Sequence, residues 1–415
     1  MKNTLKISVA TALIMSVASV SAQAADDGIS IFNDVKVNTQ LRPRVQYTDH
    51  SAATGKAGFT LTNRTNVNLN AGLLEVDGLK STIELNSVND FYTKDQKAIT
   101  GNVAVEATVA KVSQANLTYT MGGTTAVAGR MTTNLDNQRF IGSVGWKQNF
   151  QTLDLVGVVS RGKALEYTVA YVGGVNAIGD AGNGTREVYY GGGTTSGQTT
   201  SVAANASFKV MDELKVTGYA YMLGSHSDTY GGALSGKVAV ADGMKLKYRA
   251  EYAMQTDATL ETSTLGTPTN DATYMNACLG LNMSGLLVGL NYEVLSGSTG
   301  TDNKTAFSTP LATKHKFNGW ADRFLATPTG GLVDTNVMIG YKTKEYGVAK
   351  VIYHTFNSDV GSVNYGSELD LLYKTKSPFF KDVTCILKAA MFMDGDNNMG
   401  DTTKVWFMAD YKFSI

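Results

Sequence analysis

The sequence predicts an all-β fold, a transmembrane antiparallel β-barrel of about eighteen strands. Three observations predict it. Apolar and polar residues alternate with period two in segments of about ten residues. The connections between those segments run alternately long and short. A secretory leader is followed by no run of about eighteen apolar residues that could cross a membrane as a helix. A chain that spans lipid without such helices must close its strands into a barrel, because each backbone amide there needs a partner.

The leader comes first. Lys2 and Lys6 precede an apolar stretch from Ile7 to Val20, and Ala22-Gln23-Ala24 forms an A-x-A cleavage site. Residues 1–24 read as a secretory signal peptide and 25–415 as an outer-membrane β-barrel. The chain carries 36 basic and 36 acidic residues. Loss of the two leader lysines leaves 34 against 36, a net charge of about −2, so no basic excess points to nucleic acid. Only 17% of residues are charged, prolines number 5, glycines 43 and tyrosines 20. That composition suits strands joined by turns better than a soluble enzyme with Leu-rich helices.

The alternation is clearest at the C-terminus. Val405, Phe407, Ala409, Tyr411, Phe413 and Ile415 fall on one face, and Trp406, Met408, Asp410, Lys412 and Ser414 on the other. Near the start, Val37, Leu41 and Val45 alternate with Asn38, Arg42 and Gln46. The same pattern predicts strands over 35–47, 58–70, 79–89, 109–119, 125–131, 151–161, 164–172, 200–209 and 214–222. It continues over 231–239, 244–255, 273–283, 286–295, 333–342, 347–356, 365–374, 383–393 and 403–415. The alternation is weakest over 125–131, 151–161 and 231–239, and a count of sixteen stays open there. An even number places both ends at the periplasmic side, where turns are short and the opposite loops long. Long connections fall at 90–104, 132–150, 173–199, 256–272 and 296–332; Asp242-Gly243 and Ser284-Gly285 are tight-turn pairs. Aromatics such as Tyr47, Phe59, Tyr119, Tyr171, Tyr341 and Tyr373 cluster towards strand ends, as interface girdles require. Cys278 falls on an inward phase and Cys385 on an outward one, which predicts no disulfide.

The inward phase carries Lys36, Arg42, Arg44, Arg64, Lys80, Arg130, Lys245, Lys247, Arg249, Lys388, Lys404 and Lys412. Against them stand Glu84, Glu166, Glu251, Glu368, Asp370 and Asp410. Such a lumen is more basic than the chain as a whole. Fixed lumen cations concentrate anions and replace their lost hydration; the bland reading is that these charges pair across strands. Segment 132–150 is a long loop that nonetheless contains Phe140, Ile141, Val144 and Trp146. Folding inward would bury them and carry Arg139 and Lys147 into the pore. Segment 307–328 is similar, with Phe307, Leu311, Phe317, Trp320 and Phe324 needing cover.

Two passages carry a resemblance. One is Ala128-Gly129-Arg130-Met131 followed by Asn134 to Gln148; the other runs from Pro310 to Phe324 and on through Pro328 and Leu332. With a shorter match at Tyr365 to Asp370, they resemble the alginate-export family of bacterial outer-membrane porins. That resemblance implies an eighteen-stranded barrel with an electropositive lumen, and passage of an anionic uronate oligo- or polysaccharide. It also implies insertion by the barrel-assembly machinery, whose signal usually ends in Phe; here Phe413 is followed by Ser414 and Ile415.

The expectation for function is therefore a porin that passively conducts anionic solutes. Arg42, Arg44, Arg64, Arg130, Arg139, Lys147, Lys247 and Arg249 are its expected pore-lining charges. The alternatives are a non-selective general porin, or a structural or adhesive surface barrel closed by its loops. The partners expected are outer-membrane lipid, the assembly machinery and an anionic small molecule or polysaccharide, with no cofactor and no nucleic acid. An enzyme is not expected. His226-Ser227-Asp228 sit side by side in a loop, and triads are built by spatial geometry rather than by adjacency. No His or Cys pair has zinc spacing, and Asp394 to Asp401 departs from the twelve-residue calcium pattern.

Overall fold

The chain folds as a closed antiparallel barrel. The computed structural model describes residues 30–51, 57–94, 106, 108–179, 197–260, 269–302 and 304–414. The leader 1–24 lies outside the described residues, as do most of 90–104 and the glycines at 182, 184 and 191–193 of the connection after the seventh strand.

Among the described residues there are eighteen strands. The first nine are β1 (Phe32–His50), β2 (Gly58–Leu73), β3 (Leu79–Lys94), β4 (Val109–Met121), β5 (Thr124–Met131), β6 (Thr152–Arg161), β7 (Leu165–Asn176), β8 (Gly197–Met211) and β9 (Leu214–Leu223). The rest are β10 (Ser227–Ala241), β11 (Met244–Thr256), β12 (Asp271–Met283), β13 (Leu286–Leu295), β14 (Leu332–Thr343), β15 (Gly347–Asn357), β16 (Asn364–Lys376), β17 (Val383–Asp394) and β18 (Thr402–Ser414). Each pairs with its sequence neighbours, and β1 pairs with β18 from Asn38↔Ser414 to His50↔Thr402, which closes the sheet. The weak segments are strands as well, so the count is eighteen. Closure removes both sheet edges and satisfies the backbone in lipid.

Burial alternates as the pattern requires. On β1, Arg42, Arg44, Thr48 and His50 are buried while Leu41, Pro43, Tyr47 and Asp49 are exposed. Leu117, Val156, Val169, Leu234, Leu279, Leu290, Val337 and Leu387 are exposed on outward rows and make an apolar belt. Tyr47, Phe59, Tyr119, Tyr171, Tyr292, Tyr341 and Tyr373 are exposed with them. The short turns include Asp242-Gly243 and Ser284-Gly285, with Gly243 and Gly285 at φ 72° and 104°, a region that favours glycine. Cys278 and Cys385 are both free.

The hydrophobic core lies inside the barrel, not between sheets. Segment 132–151 and residues 305–331 enter the lumen and pack against inward side chains of the wall. Phe140 meets Tyr219, Tyr274 and Phe307 at ring distances of 5.2, 5.3 and 5.9 Å. Phe324 meets Phe356 at 4.6 Å and Phe392 at 5.9 Å. The two loops are also stitched together: Gly142 N donates to Leu311 O at 2.9 Å and Thr313 N to Gln138 O at 3.1 Å. Val144 N donates to Thr313 Oγ1 at 3.1 Å, which holds Val144 at φ 53°, a costly conformation for a β-branched residue.

Candidate functional site

The lumen has two zones. In the upper zone the loops are bolted to the wall by charge. Arg42 lies opposite Arg64 in the β1–β2 register, where two like charges would repel without acceptors. The loop supplies the acceptors. Arg42 donates to Gln148 Oε1 at 2.9 Å, Gly145 O at 3.0 Å, Trp146 O at 3.2 Å and Lys147 O at 2.6 Å. Arg44 donates to Trp146 O at 2.9 Å and pairs with the Glu106 carboxylate. Arg64 donates to Lys147 O at 3.3 Å and Gln40 Oε1 at 2.5 Å, with its guanidinium over the Phe150 ring. All three are buried, at 4%, 2% and 6% exposure, so their first role is to hold segment 145–148.

The loop arginine does the converse. Arg139 grips Glu293 of β13 with two bonds of 2.8 and 3.2 Å, takes Asn318 Oδ1 at 3.0 Å, and stacks over Phe317. Arg249 of β11 pairs with Glu251 and with Asp136 of the loop. Lys147 Nζ lies 3.5 Å from Asp322 of the second loop.

A cage closes this zone. The chain has three tryptophans, and all of them surround Lys388 of β17. Its Nζ stands 3.6 Å from the Trp320 ring centre, 4.4 Å from that of Trp146 and 5.9 Å from that of Trp406. Lys388 donates to His315 Nε2 at 2.7 Å, and His315 Nδ1 in turn donates to Asp322 Oδ1 at 2.6 Å. His315 lies flat on Trp146 at 4.9 Å. Burial, opposed by Asp322 and reinforced by Lys388, pushes the His315 imidazole down to about 3, so it accepts from Lys388 as a neutral ring. Glu368 and Asp370 of β16 complete the cradle by accepting from Ala321 N at 2.7 Å and Trp320 N at 3.2 Å. Gly319, at φ 81°, lies so close that a Cβ there would stand 2.4 Å from Glu368 Oε2.

The lower zone, towards the short turns, differs in charge. A cavity of about 570 Å³ is lined by Lys163, Lys209, Lys215, Lys237 and Lys247 and by the carboxylates Glu166 and Asp212, among others. Lys209 stands directly opposite Lys215, and Lys237 directly opposite Lys247. Lys209 pairs with Asp212. Lys215, Lys237 and Lys247 have no hydrogen-bond or ion-pair partner among the described residues. Lys350 of β15 is within electrostatic reach of Lys247 and Lys342. Like charges directly opposed are destabilising, so this row stores repulsion that a nearby anion would relieve.

Of the expected pore charges, Arg42, Arg44, Arg64, Arg139, Lys147 and Arg249 are inward and matched to loop or wall acceptors. Lys247 is inward without a matching partner. Arg130 is a correction. It stands opposite Ala115 and Asp154, in the row of exposed Ala126 and Ala128, while buried Val127 holds the inward row. It faces outward, paired with Asp154 at 2.7 and 3.0 Å. Missed altogether were the Trp cage, His315, Asp322 and the free lysines Lys215 and Lys237. Trp146 and Trp320 stand in the two loop passages and Trp406 on an inward phase, which was the available signal.

No catalytic triad forms at His226: its ring meets Ser308 Oγ at 3.1 Å, and Asp228 Oδ2 accepts from Thr259 Oγ1 at 2.7 Å. Asp394 and Asp401 accept from the amides of their own turn, Gly400 N at 2.6 Å and Asp394 N at 2.8 Å.

No protein-family model matches the sequence, so the resemblance to the alginate-export family gains no support there, and a search of curated proteins finds no match. Solved structures do match. The crystal structure of Acinetobacter baumannii OccAB2 superposes with a TM-score of 0.73 at 14% identity, covering 94% of this chain and 100% of that one. Pseudomonas aeruginosa OccK8 (OprE) gives 0.69 at 14% identity over 92% and 99%. Pseudomonas aeruginosa OpdK with vanillate gives 0.67 at 13% identity over 92% and 100%. At such identities the likeness is one of fold, and that fold, like the closed apolar-belted barrel itself, is the eighteen-stranded barrel of the Gram-negative outer membrane.

Proposed function

We propose that this protein is a passive outer-membrane channel for small anionic solutes, carboxylates foremost. The observation that carries the reading is the lysine row of the lower lumen, where Lys215, Lys237 and Lys247 face a cavity of about 570 Å³ with no carboxylate matched to them. An anion leaving the loop zone towards the periplasm meets that row next, and the row substitutes for its lost hydration. The vanillate in the OpdK crystal structure, an aromatic carboxylate, is in keeping with this class. The loops packed across the upper lumen favour small solutes over the uronate polysaccharide implied by the sequence resemblance. Removal of residues 1–24 and insertion by the barrel-assembly machinery complete the reading.

The test is single-channel recording in a planar bilayer under a salt gradient. The expected reversal potential shows anion preference, and Lys237→Glu with Lys247→Glu reverses it. Cation preference in the unmodified protein overturns the reading. Block by an oligouronate, rather than by a benzoate, would restore the polysaccharide class. Stable insertion with no conductance would establish the loop-closed structural barrel instead.

A further inference from the structure

The outer wall carries a groove near the short turns of β13 to β17. In one outward row Leu286, Tyr341, Ala349, Tyr373 and Leu387 stand opposite one another from strand to strand. In the next row towards the loops stand Ile339, Val351, Leu371 and Ala389. Ala349 lies between two tyrosines, so the first row has a slot with tall walls. Ala389 lowers the second row beside it. Together they line a groove of about 540 Å³ on the lipid side.

The turns beneath the groove are aromatic and basic. Tyr373 Oη donates to Tyr346 O at 2.9 Å, which ties the β14–β15 turn to the groove's lower wall. The β16–β17 turn, 377–382, has six residues where most of the short turns have two or three. It is ordered by its own serine. Ser377 Oγ accepts from Phe379 N at 3.2 Å and Phe380 N at 3.1 Å, and Ser377 N donates to Val383 O at 2.8 Å. Yet Phe379 and Phe380 are 86% and 68% exposed, the first more than any other large apolar side chain among the described residues. An exposed aromatic pair on an ordered turn marks a contact surface. These turns and the strand end between them carry Lys344, Lys374, Lys376 and Lys381 against Glu345 and Asp382. None of the four lysines has a side-chain partner among the described residues. The β2–β3 turn is the contrast: its Leu74 and Val76 are also exposed, but its charges are Glu75 and Asp77.

We propose that this sector holds one acidic glycerophospholipid of the periplasmic leaflet. One acyl chain lies in the slot over Ala349. The phosphate meets Lys344 and Lys381, and Phe379 and Phe380 settle at the headgroup level, where aromatic rings are most at home. Depth and charge choose the occupant. The slot belongs to the apolar belt, so hydrocarbon fills it. The lysine excess beneath it selects an anionic headgroup over a zwitterionic one.

Native mass spectrometry of the full-length protein, extracted from its own membranes in mild detergent, tests this independently of what the channel conducts. One acidic phospholipid per chain is expected to stay bound. After its removal, rebinding from vesicles of equal parts phosphatidylglycerol and phosphatidylcholine is expected to favour phosphatidylglycerol. Each lysine near the headgroup contributes about fivefold, so Lys344→Gln with Lys381→Gln should weaken phosphatidylglycerol binding about 20-fold and leave phosphatidylcholine unchanged. Ala349→Leu with Ala389→Leu fills the groove and should displace either lipid. Glu75→Gln with Asp77→Asn, at the contrasting turn, should change neither. Every variant is checked for folding by its heat-modifiable gel shift. No retained phospholipid, equal binding of the two lipids, or unchanged binding after the groove is filled overturns the proposal. A periplasmic protein that is lost with Phe379→Ser and Phe380→Ser while lipid binding stays unchanged would make the turn a protein contact, and overturn it also.

Discussion

The two halves of the lumen use positive charge in opposite ways. In the loop zone the guanidiniums of Arg42, Arg44, Arg139 and Arg249 each have loop or wall acceptors. In the lower zone Lys237 and Lys247 face each other with no matching carboxylate. Arginine suits the first task because its planar fork binds several oxygens at once and its charge stays fixed when buried. On the proposed function, lysine suits the second because a solvated ammonium on a flexible stem could meet an anion and release it. A count of lumen cations does not separate the two; only the partners do. The contrast predicts that loop-zone substitutions change whether the channel is stably occluded, while lower-zone substitutions change which ions pass.

The largest effect is expected from Arg139→Leu. It strands the buried Glu293 carboxylate and should cost about 3–5 kcal/mol. Thermal unfolding should begin earlier, and single-channel traces should show frequent openings to a higher level. Traces identical to the unmodified protein would show that the ion pair does not hold the loop. Lys388→Met keeps the length of the side chain but removes the cation from its three rings. A desolvated cation–π contact contributes about 2 kcal/mol, so loop release should be intermediate, with a change in tryptophan fluorescence that Arg139→Leu produces less directly.

Acid should act in the same direction. His315 is held neutral in the folded loop at about 3, against an ordinary value of about 6.5. The released loop therefore takes up a proton that the docked loop refuses, and docking weakens as pH falls below about 6.5, by up to about 1.4 kcal/mol per unit. Protonation would also set an imidazolium N–H against the Lys388 ammonium. Open probability should rise between pH 6.5 and 4, and His315→Gln should flatten that profile. A profile unchanged by the substitution would assign the acid response elsewhere.

The smallest change in stability is expected where the change in selectivity is greatest. Lys237→Glu replaces a like-charge pair with an opposite one, a gain of about 0.2–1 kcal/mol. Together with Lys247→Glu it should leave occlusion untouched and reverse ion preference. If instead Arg42→Gln reversed selectivity with the loop still docked, the assignment of roles to the two zones would be inverted.

Much of the fold was legible in the residues. The eighteen strands, their phases on β1, β11 and β18, and the alternation of long and short connections all follow from the two-faced wall. The phase failed at β5. Thr124, Thr125, Ala126, Ala128 and Gly129 give almost no polar–apolar contrast, so the pattern alone puts Arg130 inward, whereas Val127 marks that row. The candidate site was legible only in part. The aromatic content of 132–150 and 307–328 required burial, but nothing local paired Lys388 with tryptophans that stand 242, 68 and 18 residues away in the chain.

What the sequence by itself determined is therefore the barrel. Period-two patterning is local, and lipid outside with water inside forces it upon every strand. What only the tertiary structure decided is which charges are matched. Arg42 meets Gly145 across 103 residues and Arg139 meets Glu293 across 154. Such pairs form because two loops fold back into one lumen, and burial then makes each unpaired charge too costly to keep. The lysines below the loops escape that pressure because water reaches them.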